Sequence, residues 1–245
     1  MSQRREAAIV GVHEYPLRKA PGVSALQIKT ESAARALEDA GLTWQDIDAV
    51  YDTGTDQNIG GLAISEYYGL KPTVIDNTSV GGSSYEFHAN HAREMIKAGK
   101  CNVALITYGS TSHSDSRAIG TAGGTSAGPA TPIGNMEDPW GMTLIANYAL
   151  VKSRHMYQYG TTDEQFASIP VAIRRHALRN PDAVRAMTDL GFVDIRDISV
   201  NDVVESRTIA YPLHLLECCM VSDGGGAVIV ASPEVARNTR KKPVW

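Results

Sequence analysis

Residues 73–109 of the chain, TVIDNTSVGGSSYEFHANHAREMIKAGKCNVALITYG, contain the pattern that decides the fold. The short apolar segment 73–76 leads into a turn of glycines and serines, and apolar residues then recur at helical intervals until Gly99. The near-continuous apolar segment 102–108 follows. This order predicts strand, turn, helix (83–98) and strand, and the last strand has the composition of one buried on both faces between layers of helices.

The same alternation continues on both sides of this segment. Ser24 and Gln27 have capping-box spacing at the start of a predicted helix, which ends at Gly41. The other predicted strands are 6–12, 47–51, 195–200 and the apolar part of 222–232. The other predicted helices are 62–68, 143–159, 163–179 and one beginning at Pro233. Strands that alternate with capped helices predict an α/β layered fold.

The predicted domain organisation has three parts. Residues 110–138 are rich in Ser, Thr, Gly, Ala and Pro and have no visible periodicity, which is typical of a functional or mobile loop. Two predicted helices follow this loop. We therefore predict an N-terminal core over 1–109, a loop and helical insertion over 110–199, and a return to the core over 200–245.

Composition excludes several classes of protein. Of the 245 residues, 43% are hydrophobic, and 23 Lys and Arg against 27 Asp and Glu give a net charge of −4, so no basic excess favours nucleic-acid binding. No apolar run is long enough for a membrane span, and no apolar signal core follows the N-terminus. The three cysteines, of which Cys218 and Cys219 are adjacent, predict neither a disulfide framework nor a zinc site. These features predict a cytoplasmic protein without a resident metal.

Several motifs in the right order resemble the thiolase superfamily over nearly the whole chain. The segment IKAG (96–99) matches the end of the helix that carries the family's nucleophilic cysteine, and CMVSDGGGA (219–227) is similar to the family's S-G-I-N-D-G-A-A-A. The segments RHMYQYGTTDEQ (154–165) and NPDA (180–183) resemble the loop domain of the sterol-carrier-type branch. Each motif is weak alone, but their order is specific. The resemblance implies a thiolase-like layered fold.

Two departures from the family matter more than the matches. Counting back from Gly99 places Gly82 at the position of the nucleophile, where a thiolase needs a thiolate to take up the acyl group. Neighbouring Ser79, Ser83 and Ser84 lack an adjacent base. The family's second half, with its Asn-Glu segment, catalytic His and second Cys, has no counterpart here. The chain is therefore expected to be a fragment, one part of a split protein, or part of a longer chain.

The candidate site residues follow from this alignment. Gly81, Gly82, Ser83 and Ser84 precede a helix, where backbone N–H groups can bind an oxyanion, although glycine is also required in an ordinary tight turn. Cys219 aligns with a serine that faces the pantetheine arm of coenzyme A, or it is a small packed side chain.

Three histidines have open assignments. His113, in the polar loop, is either a general base or a solvated side chain. His88 and His91 are three residues apart on one helix, and with no third ligand visible they are interpreted as polar-face or subunit-contact residues.

Chemistry without a nucleophile points to an aldolase. Retro-aldol cleavage of a β-hydroxyacyl thioester needs a base and donors aimed at the enolate oxygen, but no acyl-enzyme. The sequence resembles the cysteine-less, lipid-transfer-type steroid side-chain aldolases, whose acid/base tyrosines belong to the second half. The alternatives are a thiolase or acyltransferase whose nucleophile lies outside this chain, and a non-catalytic lipid or acyl-CoA-binding subunit.

The resemblance also implies partners. These are an acyl-CoA thioester, with coenzyme A entering only as part of the substrate, an OB-fold and zinc-ribbon protein, and a second copy of the chain. In the family, the strand before the nucleophile turn lies at a two-fold dimer interface, and here that strand is 73–78.

Overall fold

The computed structural model describes residues 5–54, 60–115, 143–192 and 194–245. They divide into two compact units, of which the first comprises the described residues of Met1–Thr111 and Asp223–Trp245 and the second those of Ser112–Ser222. The three-part domain organisation predicted from the sequence (1–109, 110–199 and 200–245) stays a prediction. Of the predicted loop, residues 116–138 lie outside the described residues.

The described part of the first unit is built on a five-stranded sheet with the order β1-β7-β4-β2-β3. Strand β2 pairs in parallel with both β3 and β4, whereas β7 pairs antiparallel with both β1 and β4. The strands are β1 (Ala8–Glu14), β2 (Ala49–Tyr51), β3 (Val74–Asp76), β4 (Val103–Ser110) and β7 (Gly224–Ala231). The central place of β4 agrees with its apolar sequence, because its residues are buried on both faces of the sheet.

Helices cover both faces of this sheet. The helices of the first unit are α1 (Ala25–Ala40), α2 (Gly61–Tyr68), α3 (Ser84–Lys97) and α8 (Pro233–Ala236). Val103 and Leu105 of β4 belong to the core shared with α1, α2 and α8, whereas Ala104 and Ile106 belong to the core shared with α3. The predicted α/β layered fold is thus confirmed, including the Ser24 capping box of α1.

Helix α1 lies directly on the backbone of the sheet. A Cβ at Gly11 would stand 2.2 Å from the Ala36 carbonyl oxygen, and one at Gly109 would stand 2.5 Å from the Ala25 carbonyl oxygen. A Cβ at Gly225 would stand 2.6 Å from the side chain of Ile28. Glycine is required at these strand positions because any side chain would push the helix away from the sheet.

The close approach of α1 allows a buried ion pair beneath it. The Lys29 ammonium group lies 2.8 Å from Oδ2 of Asp52, and both side chains are almost fully buried. The same carboxylate accepts hydrogen bonds from the Thr107 hydroxyl (3.0 Å) and from the Gly54 backbone N–H (2.8 Å). Asp52 therefore holds together α1, β4 and the segment that leaves β2.

The described second unit consists of helices and a two-stranded hairpin. Its elements are α4 (Leu144–Tyr159), α5 (Asp163–Ala177), α6 (Pro181–Asp189), α7 (Val200–Val204), β5 (Thr208–Ala210) and β6 (Leu213–His214). Lys152 of α4 is buried and lies 2.7 Å from Glu217 and 2.9 Å from Asp163. This ion-pair cluster joins α4 to α5 and to the turn that follows the hairpin.

The prediction of a strand over 195–200 is wrong. Its described residues are irregular up to Ser199, which caps α7 by accepting a hydrogen bond from the Asp202 N–H. Apolar residues at 195, 198 and 200 resembled a strand, but the capping box between Ser199 and Asp202 decides the local structure. Pro181 likewise begins α6, with Asn180 as its cap, in addition to closing the preceding helix.

None of the helices within the described residues combines the length and the apolar content needed to cross a bilayer.

Replacing Gly109 by alanine is expected to destabilise the first unit by about 1–3 kcal/mol, because the new Cβ cannot fit beneath α1 unless the helix moves. Urea unfolding measures this change. Gly82→Ala is the matched control, since a Cβ at Gly82 meets nothing within 4 Å and its backbone is outside the left-handed region. Equal stability of the two variants would show that α1 does not need this close approach.

Candidate active site

The predicted glycine turn lies where the parallel strands of the first unit end. Strand β3 stops at Asp76, and the chain then turns through residues 77–83 into α3. In α/β sheets, ligands bind at the carboxyl ends of parallel strands, and a helix N-terminus there offers N–H groups without intrahelical partners. The position of the turn therefore suits a site for an anion or a developing oxyanion.

The outer part of this turn is open. Gly81 has a φ of 78°, a left-handed conformation that favours glycine. Gly82 is exposed, and a Cβ there would meet nothing within 4 Å. Ser83 is the exposed N-cap of α3, and its side chain makes no capping hydrogen bond. Packing within the first unit thus does not explain why position 82 has no side chain.

Ser84 occupies a different environment from its neighbours. Its side chain is fully buried, and its hydroxyl donates to the Gly81 carbonyl oxygen (2.6 Å) and accepts from the Val80 N–H (2.9 Å). The four predicted residues are therefore brought together, but Gly81, Gly82 and Ser83 form the outer surface of the turn and Ser84 closes it from inside.

A buried histidine holds the beginning of the turn. His88 is fully buried, and its Nε2 lies 2.9 Å from the carbonyl oxygen of Thr78. Because a carbonyl oxygen can only accept, Nε2 carries the proton, and Nδ1 is left without a hydrogen-bond partner. Burial is the main cause that lowers the pKa of His88 from its ordinary value, so the ring is neutral near pH 7.

Asp76 fixes the same end of the turn from the other side. Its Oδ1 accepts hydrogen bonds from the N–H (2.8 Å) and the hydroxyl (2.7 Å) of Thr78, and its Oδ2 lies 2.6 Å from Nδ1 of His91. Burial would raise the pKa of Asp76, but these Thr78 and His91 contacts outweigh it and lower the pKa. The interpretation as a polar-face residue is wrong for His88, which is buried, whereas His91 is partly exposed and pairs with Asp76. The alternative that these residues form a subunit contact stays a prediction.

Aromatic residues that sequence reasoning missed lie next to the turn. The rings of Tyr85 and Tyr108 are 5.2 Å apart, and those of Tyr51 and His88 are 5.7 Å apart. Tyr51 is fully buried, its hydroxyl has no hydrogen-bond partner, and burial is the main cause that raises its pKa. The available signal was strand alternation: Tyr51 and Tyr108 stand on the face that packs against α3.

The cysteines of the chain occupy other places. Cys101 is buried before β4, at the end of the sheet opposite the turn, and burial raises the pKa of its thiol to about 11. Such a thiol is protonated near pH 7 and a poor nucleophile. Cys218 and Cys219 belong to the second unit, and burial raises the pKa of Cys218. The cysteine of the first unit, Cys101, therefore does not supply the nucleophile that is missing at position 82.

The remaining predicted site residues also belong to the second unit. His113 lies in a short turn at its start and is partly buried, and Cys219 is exposed after the short helical turn Leu215–Glu217. Among the described residues, no group of three or more His, Cys, Asp or Glu side chains is arranged to hold a metal ion.

Known proteins resemble this chain in both sequence and fold. It is 30% identical over 244 residues to the 17-hydroxy-3-oxo-4-pregnene-20-carboxyl-CoA lyase of Mycobacterium tuberculosis, covering 98% of this chain and 61% of the lyase. It is also 30% identical over 250 residues to an acetyl-CoA acetyltransferase of Methanothermobacter thermautotrophicus, covering 98% of this chain and 61% of that protein. No family model matches the chain.

A solved structure shares the fold. The Ltp2-ChsH2(DUF35) aldolase superposes with a TM-score of 0.75 at 29% identity, covering 97% of this chain and 58% of that one. These similarities confirm the predicted thiolase-like fold and the predicted resemblance to the sterol-carrier-type branch of the thiolase superfamily. Within that branch, the resemblance is to the steroid CoA aldolases. The chain spans about three fifths of the length of the curated relatives named above.

The buried His88 is expected to make the first unit less stable in mild acid. Its folded-state pKa lies below the ordinary value of 6.5, and although Asp76 and Asp52 favour the charged ring, burial and His91 oppose it. Well above pH 6.5 the ring is neutral in both states. As the pH falls below 6.5, the unfolded chain takes up a proton that the folded ring resists, so the free energy of unfolding decreases until the folded pKa is reached.

Urea unfolding at several pH values between 7.5 and 5 tests this expectation. His88→Gln removes the titrating group, and its free energy of unfolding should fall less steeply than that of the wild type. Parallel pH profiles would contradict the assignment.

Proposed function

We propose that the chain is the acyl-CoA-binding part of a carbon–carbon lyase that cleaves a β-hydroxyacyl-CoA by retro-aldol chemistry. The observation that carries the proposal is the open glycine turn at the N-terminus of α3, where position 82 has no side chain and faces open space. The names of the lyase and aldolase relatives support a steroid side-chain thioester as the substrate class.

In the proposed reaction, the turn stabilises negative charge on the thioester oxygen. A base removes the proton of the β-hydroxyl group, the Cα–Cβ bond breaks, and its electron pair forms an enolate on the thioester oxygen. N–H groups at the start of α3 stabilise this oxygen, because the helix end is electropositive. Protonation of Cα then releases the shortened acyl-CoA, and the other fragment leaves as a ketone or aldehyde.

The predicted site residues take distinct roles in this proposal. Gly81, Gly82 and Ser83 face the thioester, whereas Ser84 supports them from inside the turn. Cys219 is proposed to line the path of the pantetheine arm. His113 is retained as the candidate base.

Proposed partners follow the same resemblance. The solved neighbour's name joins Ltp2 to ChsH2(DUF35), which supports the expectation of a partner protein. An OB-fold and zinc-ribbon protein is proposed for this role because the family resemblance implies it. The proposal needs no cofactor beyond the coenzyme A of the substrate. A CoA thioester substrate also suits the predicted cytoplasmic location.

Substituting Gly82 tests the site. Gly82→Val should abolish cleavage of 17-hydroxy-3-oxo-4-pregnene-20-carboxyl-CoA, because its branched side chain would occupy the approach of the thioester, and Gly82→Ala should be intermediate. The melting temperature should be nearly unchanged, since a Cβ at this position meets nothing within 4 Å. The protein encoded by the gene is assayed together with its partner chain. A correctly folded Gly82→Val variant that cleaves at the wild-type rate would place the site elsewhere.

The second candidate function is acyl transfer, which the acetyltransferase relative favours. It requires a covalent acyl-enzyme, whereas the proposed lyase forms none. Intact-mass spectrometry after incubation with acetyl-CoA or acetoacetyl-CoA should therefore show no acyl adduct. A stable adduct would support the transferase, and tight thioester binding without either reaction would support a lipid-binding subunit.

A second copy of the chain is the proposed partner at the edge of the sheet. Strand β3 is one of the two edge strands of the described sheet, and Val80 in the turn that follows it and Phe87 of α3 are 51% and 47% exposed. An edge strand beside exposed apolar side chains favours pairing with another copy across a two-fold axis.

The wild type should therefore sediment as a homodimer at micromolar concentration, and Phe87→Arg should shift it toward the monomer. Val12→Arg is the matched control, because Val12 is a similarly exposed apolar residue on the opposite edge strand. A monomeric wild type, or equal effects of the two variants, would argue against this interface.

A further inference from the structure

Helix α3 holds the turn that precedes it at both ends. Ser84 bonds to Val80 and Gly81 at the near end, and His88 bonds to the Thr78 carbonyl at the far end. Since residues four apart lie on one face of a helix, both anchors project from the same face of α3. Residues 79–83 therefore lie between two segments of backbone that side chains of α3 hold by hydrogen bonds.

Thr78 belongs to the more firmly held of these two segments. Asp76 accepts hydrogen bonds from its N–H and its hydroxyl, and His88 donates to its carbonyl oxygen. With three of its polar groups bound, Thr78 is fixed in both position and orientation. The direction in which the chain leaves Thr78 toward Gly81 and Gly82 is therefore set by these side chains.

We propose that His88 is a positioning residue for the cleavage reaction: by holding the Thr78 carbonyl, it keeps Gly81, Gly82 and Ser83 in place against the thioester. This inference rests on the proposed function, because it assumes that the turn is the substrate site. His88 acts through the backbone and does not itself touch the substrate.

The burial of His88 supports this role over simple packing. The ring is fully buried, its Nδ1 has no hydrogen-bond partner, and the adjacent Tyr51 hydroxyl also has none. A buried polar atom without a partner is unfavourable, and an apolar side chain of similar size would avoid the penalty. The one thing that the imidazole supplies and an apolar side chain cannot is the hydrogen bond from Nε2 to Thr78.

Two substitutions separate positioning from packing. His88→Leu fills much of the same space but cannot donate to Thr78, whereas the amide of His88→Gln can donate from a position close to that of Nε2. For the Leu variant we expect kcat for cleavage to fall about 10- to 100-fold with a nearly unchanged KM, because small misplacements of a preorganised site reduce the rate steeply. The Gln variant should recover most of the rate.

Hydrogen exchange of the backbone amides in residues 79–83 provides a readout that does not depend on activity. Exchange at Val80 and its neighbours should be faster in His88→Leu and near the wild-type rate in His88→Gln. The inference is overturned if the Leu variant leaves both exchange and cleavage unchanged, or if it loosens the turn without slowing cleavage. It is also overturned if cleavage falls only in proportion to the folded fraction.

Failure of the proposed function would look different. A wild-type protein that does not cleave the β-hydroxyacyl-CoA overturns the lyase assignment, and with it the role of His88 in catalysis. The exchange measurement would then still report whether His88 holds the turn.

Discussion

The direct contact of α1 with the backbone of the sheet is the constraint on which the rest of the first unit depends. Three strands present glycine beneath the helix, at Gly11, Gly109 and Gly225, and each of these positions is too close to α1 for a Cβ. At this distance Lys29 pairs with Asp52, whose carboxylate also binds Thr107 and Gly54. A buried charge pair is costly to separate, so the pair opposes any rearrangement of α1 against the sheet once it has formed. Tyr51, the last residue of β2 and the neighbour of Asp52, packs on the other face of the sheet, against α3.

The opposite face of the sheet holds the polar groups that shape the candidate site. There the buried His88 and Ser84 and the partly buried Asp76 each bind a backbone group of the segment 78–84. On the outer surface of that segment, Gly81 and Gly82 leave the backbone uncovered by side chains. The result is a turn with exposed backbone and no thiol, which is compatible with the proposed stabilisation of an enolate, a step that needs no acyl-enzyme. Donors aimed at a developing charge contribute most when they do not need to reorganise, which is why the hydrogen bonds that hold this segment matter for the proposed chemistry.

Overall similarity to known proteins and the local geometry of the turn bear on different questions about function. A lyase and an acetyltransferase match the chain at the same 30% identity, so overall similarity does not choose between their chemistries. The proposed lyase function rests on Gly82 at the predicted nucleophile position, because acyl transfer requires a nucleophile and cleavage of a β-hydroxyacyl thioester does not. The preference for a lyase is therefore a local argument about one residue and its surroundings, made within a fold that both kinds of protein share.

The sequence by itself determined the layered fold, most element positions and the location of the glycine turn. These features are local: capping residues such as Ser24, apolar periodicity, and glycines at turns act over a few residues and are visible in the chain. Local signals also misled once, at 195–200, where a cap outweighed an apolar pattern.

Only the tertiary structure decided which side chains serve the turn. His88, Ser84 and Asp76 resemble ordinary polar residues in the sequence, and their roles arise because β3, the turn and α3 bring them to the same carbonyl and amide groups. The pairing of Lys29 with Asp52 was equally hidden, because the two are 23 residues apart and meet only when the helix packs on the sheet.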